Sequence, residues 1–366
     1  MHNKGVKKLL LKLTLLLLPF LIWPIIEVFV LPMNFFTFRV WETLVVSKMR
    51  IMSGPFYPNM YVKMEEEGEL APRTKYAEKR MVEWYTDEWG YRNRDTKCDV
   101  LLIGDSNVTG VKLTQEETLS EVLERMTGHE VYSFAPGTVN RFLATERLHK
   151  DPPKVVIVAS IERRIPELTE VGSNGINSKL RNYTGEIINA SPFLNFLAIS
   201  ADRITKLALY QYTLGNINRQ FGNKEYYNYQ NEFFLEGEYA NREFTDEEIH
   251  YFADIIEDYK KVIEERGYQF MFLPIPNKEN IYYELLPSKK KPTMLPRLMA
   301  ELKKRNVAYV DTQTPFEQLY KEKGVELYPV DDAHWNEVAV KEAAKLVTQK
   351  LSGKEKDEKF LVNYSE

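Results

Sequence analysis

The feature that most limits what this chain can fold into is a repeated alternation of short apolar runs with helix-period segments. "CDVLLIGDS" (98–106), "EVYSFAPG" (130–137) and "KVVIVASIE" (154–162) are apolar stretches of strand length. Runs that are apolar on both faces read as strands covered on both sides. Between the first two lies "TLSEVLERMTG" (118–128), with Leu119, Val122, Leu123 and Met126 on one helix face and Gly128 as a stop. "RFLATERLHK" (141–150) also reads as helical. Strand, helix, strand, helix, strand in so short a span dictates parallel pairing with right-handed crossovers. The rhythm resumes with a helix over 245–267, Thr245 as N-cap and Gly267 past its end, then strand "YQFMFLPIP", helix "PRLMAELKKRN", strand "VAYVDT" and a closing helix after Trp335. The expected architecture is a three-layer α/β/α sandwich on a mainly parallel sheet. An insertion of helices and loops is expected at about 165–244. Its Tyr226, Tyr227, Tyr229, Phe233 and Phe234 either line a binding groove or pack the insertion onto the sheet.

The N-terminus carries a different signal. Lys4, Lys7, Lys8 and Lys12 precede "LTLLLLPFLIWPIIEVFVLPM" (13–33), long enough to cross a bilayer as a helix despite Pro19, Pro24 and Glu27. The basic flank places the start in the cytoplasm and the rest outside. The first alanine is Ala71, so no small-residue cleavage site follows, and the segment reads as an uncleaved anchor. The expected division is a cytoplasmic tip and transmembrane anchor (1–33), a connector (34–97), a catalytic domain (98–352) and a disordered tail (353–366). The connector holds a helical-looking patch over 38–52 and an acidic run, Glu65 to Glu67.

A net charge of −4 gives no electrostatic reason to expect a nucleic-acid partner. The single cysteine, Cys98, rules out an intrachain disulfide and a cysteine metal site and reads as a core residue. Neither a metal nor a cofactor is expected, and no phosphate-binding glycine loop is visible. Chemistry points to Ser106, presented where an apolar strand stops at Gly104. Serine there is either a helix cap or a nucleophile, and a nucleophile needs a base. Of the five histidines, His2 lies in the N-terminal tip, His129 follows a helix stop, His149 sits by a Lys-Asp-Pro turn and His250 lies in a charged helix. His334 stands in "YPVDDAHWNE", two residues after Asp332, a spacing that projects both side chains the same way in extended backbone.

Taken in order, "GDSN" (104–107), "APG" (135–137) and "DAHW" (332–335) resemble the SGNH/GDSL hydrolase superfamily. "TDEWGYRN", "PIPNKENIYYELLP" and "LYPVDDAHWN" bring the resemblance to the branch of alginate-acetylation proteins and related cell-envelope polysaccharide O-acetyltransferases. The resemblance implies an SGNH-hydrolase-like fold with Ser106 as nucleophile, His334 as base and Asp332, rather than its neighbour Asp331, as the orienting carboxylate. It implies an oxyanion hole from the N–H groups of Ser106 and Gly137. The superfamily's usual asparagine after the third strand is replaced by "ASIERR", with Arg163 as the candidate substitute. Asn277, Lys278 and Tyr282 follow a strand end, where open α/β sheets bind ligands, and either contact the sugar or buttress the His334 loop. Trp335 either stacks on substrate or packs.

The function expected on this basis is extracytoplasmic O-acetyl transfer, through an acyl-serine, onto hydroxyls of a cell-envelope polysaccharide. The partner implied by the family is a membrane-bound O-acyltransferase that delivers the acetyl group. The alternatives are a carbohydrate O-acetyl esterase using the same triad, or a non-catalytic polysaccharide-binding scaffold.

Overall fold

The computed structural model describes residues 2–47, 52–172, 183–207, 213 and 226–353. The tail beyond 353, for which disorder was expected, and parts of the insertion, expected either to form a groove or to pack on the sheet, lie outside the described residues. Four strands, β3 (Val100–Ile103), β4 (Val131–Phe134), β5 (Val155–Ile161) and β8 (Gln269–Ile275), form one sheet in the order β4-β3-β5-β8. Every pairing in it is parallel. Two antiparallel pairs lie outside this sheet: β1 (Tyr61–Glu66) with β2 (Arg80–Tyr85), and β6 (Tyr227–Tyr229) with β7 (Glu232–Phe234).

The strands are buried on both faces because their residues alternate between two cores. Val100, Leu102, Ile157 and Leu273 point into one core with α2 (Leu119–Thr127), α6 (Gln313–Lys323) and α7 (Glu337–Leu351). Leu101, Ile103, Val156 and Phe272 point into the other with α4 (Asp246–Glu264) and α5 (Met294–Lys304). This is the expected three-layer α/β/α sandwich. Thr245 begins α4 with a reciprocal capping box: its hydroxyl accepts the Glu248 N–H at 3.2 Å and its own N–H is accepted by the Glu248 carboxylate at 2.9 Å.

Three local expectations change. "VAYVDT" pairs with β8 through a single parallel bridge, Phe272 to Tyr309, and forms no full strand. "RFLATERLHK" splits into two short helices, Val139–Leu143 and Arg147–Lys150. Among the described residues of the patch at 38–52, the helix is Val40–Leu44, because Val45 turns to bridge Phe56 instead.

The 34–97 segment folds onto the sandwich rather than spanning open space. Its hairpin β1–β2 has a small core of its own, with Val40, Leu44, Phe56, Tyr57, Val82 and Trp84 buried. Arg92 is buried with its guanidinium 4.0 Å over the Trp84 ring and donates to the carbonyls of Glu83, Thr109, Gly110 and Leu113. It therefore ties this segment to the chain just after Ser106. At the hinge between β3 and Ser106 sits Gly104. A Cβ there would lie 2.4 Å from Val108 Cγ2 and 3.0 Å from the Ala159 carbonyl oxygen. Gly104→Ala is expected to cost about 1–3 kcal/mol in urea unfolding, the usual penalty for forcing atoms into a packed interior. An unchanged unfolding midpoint would show that this close approach is not constraining.

Candidate active site

The spatial order of the sheet places a crevice at the carboxyl ends of β3 and β5, where the chain first winds one way and then the other. Ser106 opens a four-residue helix, Ser106–Thr109, at that point. Asp105 holds the turn with both carboxylate oxygens. One accepts the Asn107 N–H at 2.8 Å, and the other accepts the Ile161 N–H at the end of β5 at 2.9 Å. Ser106 is thus fixed between two strands, half-buried, with its side chain free to meet a partner.

That partner comes from the loop before α7. His334 Nε2 lies 2.8 Å from Ser106 Oγ, and His334 Nδ1 lies 2.6 Å from Asp332 Oδ1. The loop is pinned to the serine helix through Trp335, whose backbone and indole N–H groups donate to the Asn107 side-chain and main-chain oxygens at 3.3 and 3.0 Å. Asn336 then caps α7 by accepting the N–H groups of Val338 and Ala339.

The two adjacent aspartates are both fully buried but face different partners. Asp331 is ion-paired with buried Lys112 and accepts the N–H groups of Gly68 and Glu78. Asp332 accepts the N–H groups of His334 at 2.8 Å and Glu69 at 3.0 Å besides the imidazole. Burial alone would raise the Asp332 pKa, but His334, Arg39 and Lys112 pull it well below the usual carboxylate range. For His334, burial lowers the pKa, yet the Asp332 and Glu69 carboxylates outweigh this and hold it above the ordinary histidine value. Glu69 stands 3.7 Å from His334 Nδ1 and is itself paired with Arg39 at 3.2 Å. Glu69, Asp332 and His334 bring potential metal-ligand atoms within 4.8 Å of one another. However, Nδ1 and Oδ1 share a hydrogen bond with no space for an ion between them, and Glu69 is engaged by Arg39.

Several expected site residues sit elsewhere. The Gly137 N–H donates to the Gly104 carbonyl at 2.9 Å, so it is not directed at a developing oxyanion. The Arg163 backbone N–H donates to Asn277 Oδ1 at 3.2 Å and its guanidinium lies against the same oxygen, so Arg163 is not presented to Ser106 as a donor. The Ser106 N–H has no acceptor among the described residues. Asn277, Lys278, Tyr282 and Trp335 are all buried, and none offers a substrate-binding surface. Lys278 instead gathers the carbonyls of Pro329, Val330 and Asp332 and pairs with Glu232 at 2.6 Å. Burial lowers its pKa, and Glu232 offsets part of that. The Tyr282 hydroxyl accepts the N–H groups of Leu327 and Tyr328 at 2.9 and 3.2 Å. These residues buttress the His334 loop. The insertion's aromatics behave likewise: Phe234 is fully buried, Tyr227 and Tyr229 pack on the core, and the Phe233 N–H donates to the Val330 carbonyl. Glu69, Arg39 and Lys112 carry no local sequence signal, because the groups of the His334 loop that they act on, Asp331, Asp332 and His334, lie hundreds of residues away.

Residues 233–361 match the family described as SGNH hydrolase-like domain, acetyltransferase AlgX. That span includes Asp332 and His334 but not Ser106. No protein with a curated description matches the chain. Among solved structures, a lipase/acylhydrolase from Enterococcus faecalis is similar at 14% identity, with a TM-score of 0.32, covering 72% of this chain and 99% of that one. A protein assigned to the lipolytic G-D-S-L family from Desulfitobacterium hafniense is similar at 13% identity, with a TM-score of 0.31, covering 68% and 97% respectively. At such scores these likenesses carry no weight about activity. The resemblance read from the motifs is borne out, and the chain has an SGNH-like α/β fold.

Because Lys112 and Asp331 are buried together, neutralising one leaves the other uncompensated. Asp331→Asn should destabilise the protein by about 3–5 kcal/mol in urea unfolding. Wild-type stability in that variant would refute Asp331 as the buried counter-ion.

Proposed function

We propose that this protein is an O-acetyltransferase acting outside the cytoplasm on hydroxyls of a cell-envelope polysaccharide, with Ser106 as nucleophile, His334 as general base and Asp332 as its orienting carboxylate. The observation that carries this reading is the continuous chain from Ser106 Oγ to His334 Nε2 at 2.8 Å and from His334 Nδ1 to Asp332 Oδ1 at 2.6 Å. The family match supports acetyl transfer as the chemistry. As Ser106 Oγ attacks the carbonyl carbon of an acetyl ester or thioester donor, its proton passes to His334 Nε2. The tetrahedral oxyanion is met by the unengaged Ser106 N–H. The carbonyl re-forms, and the donor's leaving group departs with the proton from His334. A sugar hydroxyl then gives its proton to His334 as its oxygen attacks the acetyl-serine. The acetylated sugar leaves as the proton returns to Ser106 Oγ. Asp332 holds the imidazole in the tautomer that needs Nδ1–H, and the cation formed in each step lies against two carboxylates.

The helix α1 (His2–Phe29) contains one stretch, Val6–Phe29, long and apolar enough to cross a membrane. Read with its lysine flank, it anchors the chain with the sandwich on the outer side. There an acetyl group delivered by a membrane-bound O-acyltransferase would reach Ser106.

The test is the full chain in lipid vesicles given a chromogenic acetyl ester, with and without oligosaccharide acceptors, read by mass spectrometry. The expected result is slow hydrolysis, a persistent acetyl-Ser106, and acetylated sugar that appears as the acceptor speeds acetyl release. Rapid deacetylation of acetylated polysaccharide with no transfer would favour the esterase. Ser106→Ala and His334→Ala should each lower turnover by at least about 10³-fold, and Asp332→Asn by a comparable factor, through the wrong tautomer. An active Ser106→Ala would exclude the acyl-serine.

The pH profile is a further check. His334 must be neutral to accept a proton, so kcat/KM should rise with pH through a value above the ordinary histidine pKa. Glu69 raises that pKa and Arg39 lowers it. Glu69→Gln should therefore shift the acid limb to lower pH. A limb that stays in place, or moves upward, would contradict this electrostatic role.

A further inference from the structure

The helix α3 (Pro192–Lys206) is built inside out. A surface helix of a water-soluble domain turns its apolar stripe inward. Here the inward, buried positions are Asn195, Ala198 and Asp202, while Phe193, Phe196 and Ile204 are 67%, 54% and 47% exposed, with Leu197 beside them. On a helical wheel, Phe193, Leu197 and Ile204 fall within about 40° of one another, and Asn195 and Asp202 lie on the opposite side.

The polar inner face is held chiefly through Asp202 and Lys206. The Asp202 carboxylate accepts the Ser47 N–H at 3.1 Å and the Tyr57 hydroxyl at 2.8 Å. Lys206 donates to the carbonyls of Glu42 and Val45. Arg203 reaches the far side and donates to the carbonyls of Glu27, Val28 and Leu31. These belong to the end of α1, where carbonyls lack intrahelical partners. The Phe196 ring lies 6.3 Å from that of Phe29, and Phe29, Val30 and Phe35 are exposed at the same level. The exposed apolar surface of the membrane-length helix therefore meets that of α3 at the Phe29–Phe196 contact.

We infer that α3 lies in the outer interface of the membrane that α1 spans, with Phe193, Phe196, Leu197 and Ile204 facing lipid. The inference rests on reading α1 as a membrane span. A 24-residue stretch reaches about 36 Å, more than the hydrocarbon core, so its end and the α3 attached to it come to the headgroup level. Lipid is favoured over a protein partner because the α1 surface continuous with this face must itself be in lipid. Two points of attachment, the span and α3, fix the height and tilt of the sandwich, which a single helix leaves free.

The test uses the full chain with Cys98→Ser, in phosphatidylcholine and phosphatidylglycerol vesicles, with an environment-sensitive fluorophore on one introduced cysteine at a time. The sites are Leu16→Cys in the span, Phe196→Cys and Ile204→Cys on α3, and Lys345→Cys on α7. Lipids brominated near the headgroup end of the chain should quench the two α3 labels about twofold, and lipids brominated at mid-chain should quench them less, as expected for a helix buried about 5–10 Å into the interface. Leu16 should show the reverse preference, and Lys345 should be quenched only by aqueous iodide. If Leu16 is quenched by lipid while both α3 labels respond to iodide as Lys345 does, the interface helix is refuted and the anchor stands. If both α3 labels are shielded from lipid and iodide alike, protein covers the face and the inference is equally refuted. If Leu16 is not quenched by lipid, the span reading falls, and α3 with it.

Discussion

Two adjacent carboxylates, Asp331 and Asp332, are buried side by side, and the surrounding structure is organised around that constraint. A charge removed from water costs several kcal/mol unless partners replace its hydration. Alternation of side chains along the backbone separates the two. Asp331 turns to Lys112 and two backbone N–H groups, and Asp332 turns to His334 and two others. The Asp331 carbonyl between them accepts the Leu70 N–H at 2.9 Å, and the Lys278 ammonium takes the carbonyls of Pro329, Val330 and Asp332 on either side. The loop that presents His334 is therefore over-determined, and this is the condition for holding an imidazole within hydrogen-bond reach of a hydroxyl before any substrate arrives.

The same constraint explains why the segment before the sandwich is part of the site. Its Gly68, Glu69 and Glu78 N–H groups and its Arg39 and Glu69 side chains supply partners that the sheet does not. Gly68 is obligatory for this approach, since a Cβ would lie 2.2 Å from the Asp331 carbonyl oxygen. Glu69 has a double effect. Its N–H stabilises the Asp332 carboxylate, while its own charge raises the affinity of His334 for a proton. In the proposed mechanism the first keeps the orienting group ionised, and the second favours the cation formed during transfer.

The fold was largely legible in the sequence because its signals are local. Four apolar runs became β3, β4, β5 and β8, since a strand covered on both faces needs no polar alternation. "VAYVDT" has the same composition but meets its neighbour through Tyr309 alone. The pairing of Ser106 with His334 spans 228 positions and was legible only through the order of short motifs. Glu69, Arg39 and Lys112 were not legible, because a charged residue in an acidic or basic stretch looks the same whether it faces solvent or a distant carboxylate. Asn277, Lys278 and Tyr282 lie at a strand end, as expected, and of the two roles left open for them, substrate contact and buttressing, their burial fits the second. Ligand and buttress positions share that location, and only burial separates them.

One connected path leads from the apolar N-terminal helix to the imidazole. Arg203 joins α1 to α3, and Asp202 joins α3 to Ser47 and Tyr57. Tyr57 lies in the small core with Val82 and Trp84 of β2. β2 is paired with β1, and the chain leaving β1 at Glu66 delivers Glu69 to Asp332. The links are buried or part-buried hydrogen bonds, a packed ring, a strand pairing and the chain itself. A displacement of α3 relative to α1 therefore has to strain this path or be resisted by it. On the proposed reading, in which Ser106 receives an acetyl group at a membrane surface, the serine needs a set distance from that surface, and a single flexible tether would not set one. Building the connector as a folded unit, attached at one end to the helix pair and at the other to the Asp332 loop, makes the placement of the helix pair and the geometry of the Ser106–His334–Asp332 hydrogen-bond chain consequences of the same packing.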